Sequence, residues 1–128
     1  MDNPIDRKYT KEHEWIKVDG DTAIIGITDF AQDQLTDVVF VELPEVGKQI
    51  EQNDNLCVVE SVKSVSDILS PVSGEIVEVN NALENSPALV NNDPFEGGWI
   101  VKLKVKNETE LDQLMTAEEY DKYFTGIE

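Results

Sequence analysis

Between Gln49 and Val101 the chain carries nine acidic residues and a single basic one, Lys63. It stands in Val58-Val59-Glu60-Ser61-Val62-Lys63-Ser64-Val65-Ser66-Asp67-Ile68, with strand-forming residues on both sides. That composition predicts the tip of a tight hairpin, with Lys63 at or beside the turn. A lysine taken at random is a solvated surface amine. Three features separate this one: it is alone on an acidic stretch, it falls on an exposed turn, and it lies between two segments that resemble each other. An amine presented on a rigid tip is what a modifying enzyme needs to acylate one lysine and spare the others.

The remaining reactive side chains offer less. Cysteine-nucleophile catalysis needs a thiolate activated by an imidazole, and Cys57 and His13 are the only residues of those types. Cys57 falls in Leu56-Cys57-Val58-Val59, where a small apolar core residue is the plain reading. One Cys and one His cannot close a zinc site. Acidic pairs are too abundant to single out without geometry, and neither a calcium-loop pattern nor a Gly-rich phosphate loop occurs. A thiol-dependent hydrolase stands as the enzyme-class alternative, and a Cys57→Ser variant with full activity would dismiss it.

The whole chain narrows the field further. Its 128 residues, 40% of them hydrophobic, suit one domain (1–128) with a core that needs no staples. Against 10 basic residues stand 27 acidic ones, a net charge of −17. Such a surface repels phosphate backbones and anionic leaflets, so no nucleic-acid and no membrane partner is expected. The apolar residues are grouped into strand-sized runs, which argues for a folded domain rather than disorder. A single cysteine permits no intramolecular disulfide and fits a reducing compartment. Residues 1–8 show neither an apolar signal core nor an Arg-rich amphipathic stretch, and no apolar run approaches the ~20 residues of a membrane span. The expectation is a cytoplasmic, monomeric protein, in which the Asn107-Glu108-Thr109 sequon is a chance match.

The elements that must hold Lys63 are mostly strands. Trp99, Val101, Leu103 and Val105 alternate with Ile100, Lys102, Lys104 and Lys106, predicting a half-buried strand with the first set facing inward. Shorter strands are predicted over 15–18, 22–27, 38–43, 56–62, 65–69 and 74–79, separated by turn-forming clusters. Helix is expected in three places only. Asp29 with Gln32 caps a short one through Leu35, Asn107 with Glu110 opens another, and Thr116-Ala117-Glu118-Glu119 is a capping box. The last helix carries Tyr120, Tyr123 and Phe124 and stops at Gly126. A weak repeat aligns 47–56 with 74–83 at an offset of 27, with Gly, Glu, Asn and Leu identical, which implies two half-units about a pseudo-twofold axis.

In sequence order, Tyr9-Thr10-Lys11-Glu12-His13-Glu14-Trp15, Gly26-Ile27-Thr28-Asp29-Phe30-Ala31-Gln32 and Asp37-Val38-Val39-Phe40-Val41-Glu42-Leu43-Pro44 lead to Glu60-Ser61-Val62-Lys63-Ser64. Pro71-Val72-Ser73-Gly74-Glu75-Ile76, Val79-Asn80 and Gly97-Gly98-Trp99-Ile100 follow. With these motifs the chain resembles, over nearly its whole length, the H-protein family of the glycine cleavage system. Thr36 departs from the pattern, since relatives often have Gly there. The resemblance implies an all-β-dominated fold: a lipoyl-type β sandwich or flattened barrel (barrel-sandwich hybrid) with short helices. Its core would run from about 22 to 105, with a C-terminal helical appendage over about 107–126.

By the same resemblance, lipoate is the cofactor, amide-linked to Lys63, and the protein is a non-catalytic carrier. The arm would take an aminomethyl group from a PLP-dependent glycine decarboxylase (P protein) and deliver it to a tetrahydrofolate-dependent aminomethyltransferase (T protein). A dihydrolipoamide dehydrogenase (L protein) would reoxidise it, and lipoate-attaching enzymes would install it. The alternative is a lipoyl donor or relay for other lipoyl-dependent complexes, which equally requires a lipoylated Lys63. Glu60, Ser61, Val62 and Ser64 are candidate contacts for the lipoylating enzyme. Glu12 and Glu14 are candidate partners for the amine of the loaded arm. Biotin is disfavoured, because Val62 and Ser64 stand where biotin carriers typically place methionines.

Overall fold

A run of short β-branched segments broken by turn chemistry cannot bury its apolar side chains within one sheet, and two sheets result. The computed structural model describes residues 3–125. The strands are β1 (Lys8–Tyr9), β2 (Glu14–Asp19), β3 (Thr22–Ile27), β4 (Val38–Glu42), β5 (Gln49–Ile50), β6 (Asn55–Ser61), β7 (Val65–Leu69), β8 (Gly74–Val79) and β9 (Val101–Val105). One sheet runs β1-β2-β3-β9-β8-β5 and the other β4-β6-β7, with every pairing antiparallel. The main core draws Ile25, Ile76 and Leu103 from the first sheet and Val41, Val59 and Ile68 from the second. This is the β sandwich or flattened barrel that the sequence implied, and its two sheets do not close on each other.

Several expectations need correction. Helix is not confined to three places, because single turns α2 (Ala82–Asn85) and α3 (Leu89–Asn92) lie between β8 and β9, following α1 (Asp29–Leu35). Their residues show no helical periodicity, and each turn is held by local bonds such as Leu83 N to the Asn80 carbonyl and Asn92 N to the Ala88 carbonyl. The cap of α1 is Thr28, whose hydroxyl accepts from Ala31 N, while Asp29 lies inside the first turn. Asn107 does open a helix, its side chain accepting from Thr109 N, but that helix is of the 3₁₀ type (Glu108–Gln113). Alternation in the final strand begins only at Val101: Ile100 is fully buried, and Trp99 is partly exposed with the Lys102 ammonium 5.0 Å from its ring centroid.

The capping box forms as read. Thr116 N donates to Glu119 Oε1 and Glu119 N to Thr116 Oγ1 at the start of α4 (Ala117–Thr125). The Phe124 side chain and the stop at Gly126 lie outside the described residues. The two repeat segments pair with each other: Gln49 opposes Glu75, Ile50 opposes Gly74, and Ile76 N donates to the Lys48 carbonyl. That register is a local twofold, and it ends where Asn55 enters β6 while Ala82 enters α2. Their shared glycine has two different causes. Gly47 has φ +94, whereas a Cβ on Gly74 would collide with the Lys104 carbonyl.

Candidate functional site

The hairpin between β6 and β7 places Lys63 as the sequence predicted. Ser61 N donates to the Ser64 carbonyl at 2.8 Å, closing the turn over Val62 and Lys63. The Ser61 hydroxyl accepts from Lys63 N (3.3 Å) and Ser64 N (3.1 Å), so one side chain satisfies two amides of the tip. Val62 N donates to the Asp37 carbonyl at 3.0 Å, tying the tip to the entrance of β4. Positive φ among described non-glycine residues occurs at His13, Thr36 and Asn53, not in this turn. A turn bonded this way, in ordinary backbone geometry, presents the lysine without strain. Lys63 is exposed, and among the described residues no carboxylate pairs with its ammonium.

Exposed apolar side chains occur on the strands and turn next to Lys63. Glu60 sits in register between Phe40 and Val65, and Phe40, Val65, Val62 and Val39 are 48%, 64%, 67% and 54% exposed. Of the four residues named around the lysine, Ser61 makes the turn, Val62 and Ser64 are exposed on it, and Glu60 is half-buried in β6, opposite Val65.

The base of the same hairpin meets the second group of candidates. The β1–β2 turn carries Thr10, Lys11 and Glu12, and together with Gln52, Gln113 and Met115 it lines a cavity of about 270 Å³ that Glu14 also borders. Glu14 is 3% exposed. Its carboxyl accepts from the Thr10 hydroxyl at 2.6 Å and from the backbone amide of Leu69, the last residue of β7. Burial raises its pKa from 4.5 to about 7, and those two donors hold it from rising further. Glu12 is exposed and adds a small like-charge push. The sequence treated the two glutamates alike; the structure buries one and leaves the other in solvent. Lys63 and Glu14 thus stand at opposite ends of one hairpin arm, β7, about 13 Å long.

Sequence reasoning missed Thr10 and the cavity's far wall. Met115 reaches it because its backbone bridges to Tyr9, and Gln113 because Gln52 Nε2 donates to its side chain at 3.2 Å. The 3₁₀ helix is pinned there by Glu110, which accepts from Ser73 N and Ser73 Oγ. A two-residue strand such as β1 has no readable periodicity, so the Thr10–Glu14 pairing left no pattern.

The alternative thiol chemistry finds no support. Cys57 is buried in β6, and desolvation pushes its thiol well above the ordinary range, the reverse of what a nucleophile needs. His13 Nδ1 is engaged 2.6 Å from the Tyr120 hydroxyl. Among the described residues, no three acidic, His or Cys side chains are grouped to hold a metal. No helix there is long and apolar enough to cross a membrane.

Comparison with known proteins agrees on one family. The family model "Glycine cleavage H-protein" matches residues 7–127. The chain is 60% identical over 120 residues to the glycine cleavage system H protein of Symbiobacterium thermophilum, covering 94% of each chain. It is 59% identical to that of Thermus thermophilus over 120 residues, again 94% of each. With the H protein of Halothermothrix orenii the identity is 52% over 128 residues, all of both chains. Among solved structures, a crystal structure of a glycine cleavage system H protein from Mycobacterium marinum superposes with a TM-score of 0.88. It shares 40% identity, over 96% of this chain and 99% of that one.

Proposed function

This chain belongs to the glycine cleavage H-protein family, and from that premise we propose that it carries lipoate in amide linkage on Lys63 and rests the loaded arm in the Glu14 cavity. The observation that supports this reading is the β6–β7 hairpin itself, with an isolated exposed lysine at its tip and a buried carboxyl at its base.

The residues present suit such a group. Acylation removes the charge of Lys63, so the arm can lie along apolar surface without desolvating an ammonium. The bound group supplies a dithiolane, which accepts and releases the aminomethyl carbon under the cofactors of partner enzymes. This chain's own part is tethering and shelter. Tethering keeps a labile carrier at high local concentration near each active site. Glu14 would receive the primary amine, Thr10 would hold the carboxyl in place by its hydroxyl, and Met115 with Leu114 would keep bulk water from that end. A carboxyl that titrates near neutrality when alone becomes fully charged beside an ammonium, so seating the amine releases a proton.

The partners follow from the family. A PLP-dependent glycine decarboxylase loads the arm, a tetrahydrofolate-dependent aminomethyltransferase unloads it, and a dihydrolipoamide dehydrogenase reoxidises it. Glu60, Val62 and Ser64 face the lipoate-attaching enzyme beside Lys63, and Ser61 sets the turn it reads. Mass spectrometry of protein from its native host tests the attachment. A lipoyl increment on Lys63 is expected; biotin, or an unmodified lysine, would overturn the reading. Replacing Glu14 with Ala should shorten the lifetime of the loaded arm, and an unchanged lifetime would remove Glu14 from it.

A further inference from the structure

The turn that builds the Glu14 cavity is gripped from outside by one side chain of the last helix. Tyr120 is fully buried and touches both flanks of the turn Thr10–Glu12. On one flank its ring stacks on Tyr9, with centroids 4.8 Å apart and planes 11° from parallel. On the other, its hydroxyl lies 2.6 Å from His13 Nδ1. The same hydroxyl is 2.9 Å from Thr28 Oγ1, the cap of α1. One side chain therefore joins the β1–β2 turn, the start of α1 and α4.

His13 is where such a grip has something to hold. Its φ is +69, a left-handed conformation that is uncommon for non-glycine residues. Its carbonyl accepts from Thr28 N, and its own amide donates to the Thr10 carbonyl. The imidazole leans on Phe30, ring centroids 4.5 Å apart. This reversal at His13 sends Glu12 outward and Glu14 inward on adjacent sides of the same residue. With the imidazole released, only those two backbone bonds would hold the reversal, and it would open more readily, at the expense of the bonds Thr10 Oγ1 to Glu14 Oε1 and Glu14 N to Thr10 Oγ1.

We propose that Tyr120 and His13 are positioning residues for the cavity: the C-terminal helix clamps both flanks of the Thr10–Glu12 turn and so keeps the Glu14 carboxyl turned in and dry. Neither residue is assigned to the cavity lining, and each acts through the turn. The assignment rests on the proposed role of the cavity only for its functional meaning. The geometry it asserts can be tested in the unmodified chain.

The experiment is an NMR titration of the Glu14 side-chain carboxyl in the full, unlipoylated chain. Tyr120→Phe keeps the stack on Tyr9 and removes both hydroxyl contacts. The Glu14 midpoint should fall by about one pH unit toward the ordinary carboxylate range as water reaches the group. A variant with lowered thermal stability and an unmoved midpoint would overturn the proposal, since loss of packing alone does not rehydrate Glu14 in the folded state. His13→Asn is the second variant, decisive alone if Tyr120→Phe does not fold. Asparagine tolerates the left-handed backbone but is too short to reach Tyr120, so the same fall is expected. An unchanged midpoint there would mean that backbone conformation suffices, and the clamp would be discarded. Glu12→Gln measures how much of any shift comes from that neighbouring charge. Failure to find lipoate on Lys63 would sink the carrier reading and leave these titrations untouched, so the two failures are distinguishable.

Discussion

At the scale of single residues, the molecule separates an exposed amine from a buried acid and gives each its own chemistry. Lys63→Arg keeps the charge but cannot be acylated in the same linkage. It should abolish glycine–bicarbonate exchange with the partner decarboxylase, and an active variant would defeat the tethered-arm account. Glu14 makes a pH prediction whose sign follows from burial. Its folded pKa of about 7 lies above the unfolded value near 4.5. Its share of stability is therefore intact below about 4.5 and is lost as pH rises through 7, a change of roughly 3 kcal/mol at most. Glu14→Gln should flatten that dependence and leave the variant more stable than the parent at pH 8, as read by urea denaturation at pH 4 and pH 8. Lys63 was legible from sequence because isolation in an acidic run is a one-dimensional property. The burial of Glu14 and exposure of Glu12 were not, since both depend on the backbone reversal at His13.

Elements explain where sequence reading succeeded. The strands Thr22–Ile27, Val65–Leu69 and Gly74–Val79 have the predicted bounds, because turn chemistry on both sides brackets each apolar run. Two-residue strands and single helical turns are too short to show a period, so β1, β5, α2 and α3 escaped notice. Thr36 shows a second kind of information. It ends α1 with φ 63 and ψ −150, a region that suits glycine almost alone. A glycine, as the family resemblance suggests at this place, would adopt that conformation without strain. Thr36→Gly should raise stability by about 1 kcal/mol, since the side chain is exposed and little contact is lost. Calorimetry of the variant checks it. At the hairpin tip, Ser61→Ala should speed amide hydrogen exchange at Lys63 and Ser64, the two groups its hydroxyl now satisfies.

For the whole molecule, a net charge of −17 predicts an electrostatic contribution to how partners arrive. The hairpin that carries Lys63 also exposes Val62 and Val65, so long-range attraction and short-range contact act at different distances. Basic rims on partner enzymes should draw the carrier in, with screening at higher salt weakening the approach. Raising ionic strength from about 0.02 M to 0.5 M should lower kcat/KM for arm loading about tenfold while kcat holds. A rate insensitive to salt would remove steering from the account.

The burial of Cys57 has a further meaning if Lys63 carries the proposed dithiolane. A free thiolate nearby would attack the ring's disulfide and trap the arm as a mixed disulfide, short-circuiting its redox cycle. The single cysteine of this chain is 5% exposed, and burial holds it in the unreactive thiol form. Burial would thus keep this thiol from attacking the proposed arm. Alkylation by iodoacetamide should accordingly proceed only at the rate at which the β6 strand opens.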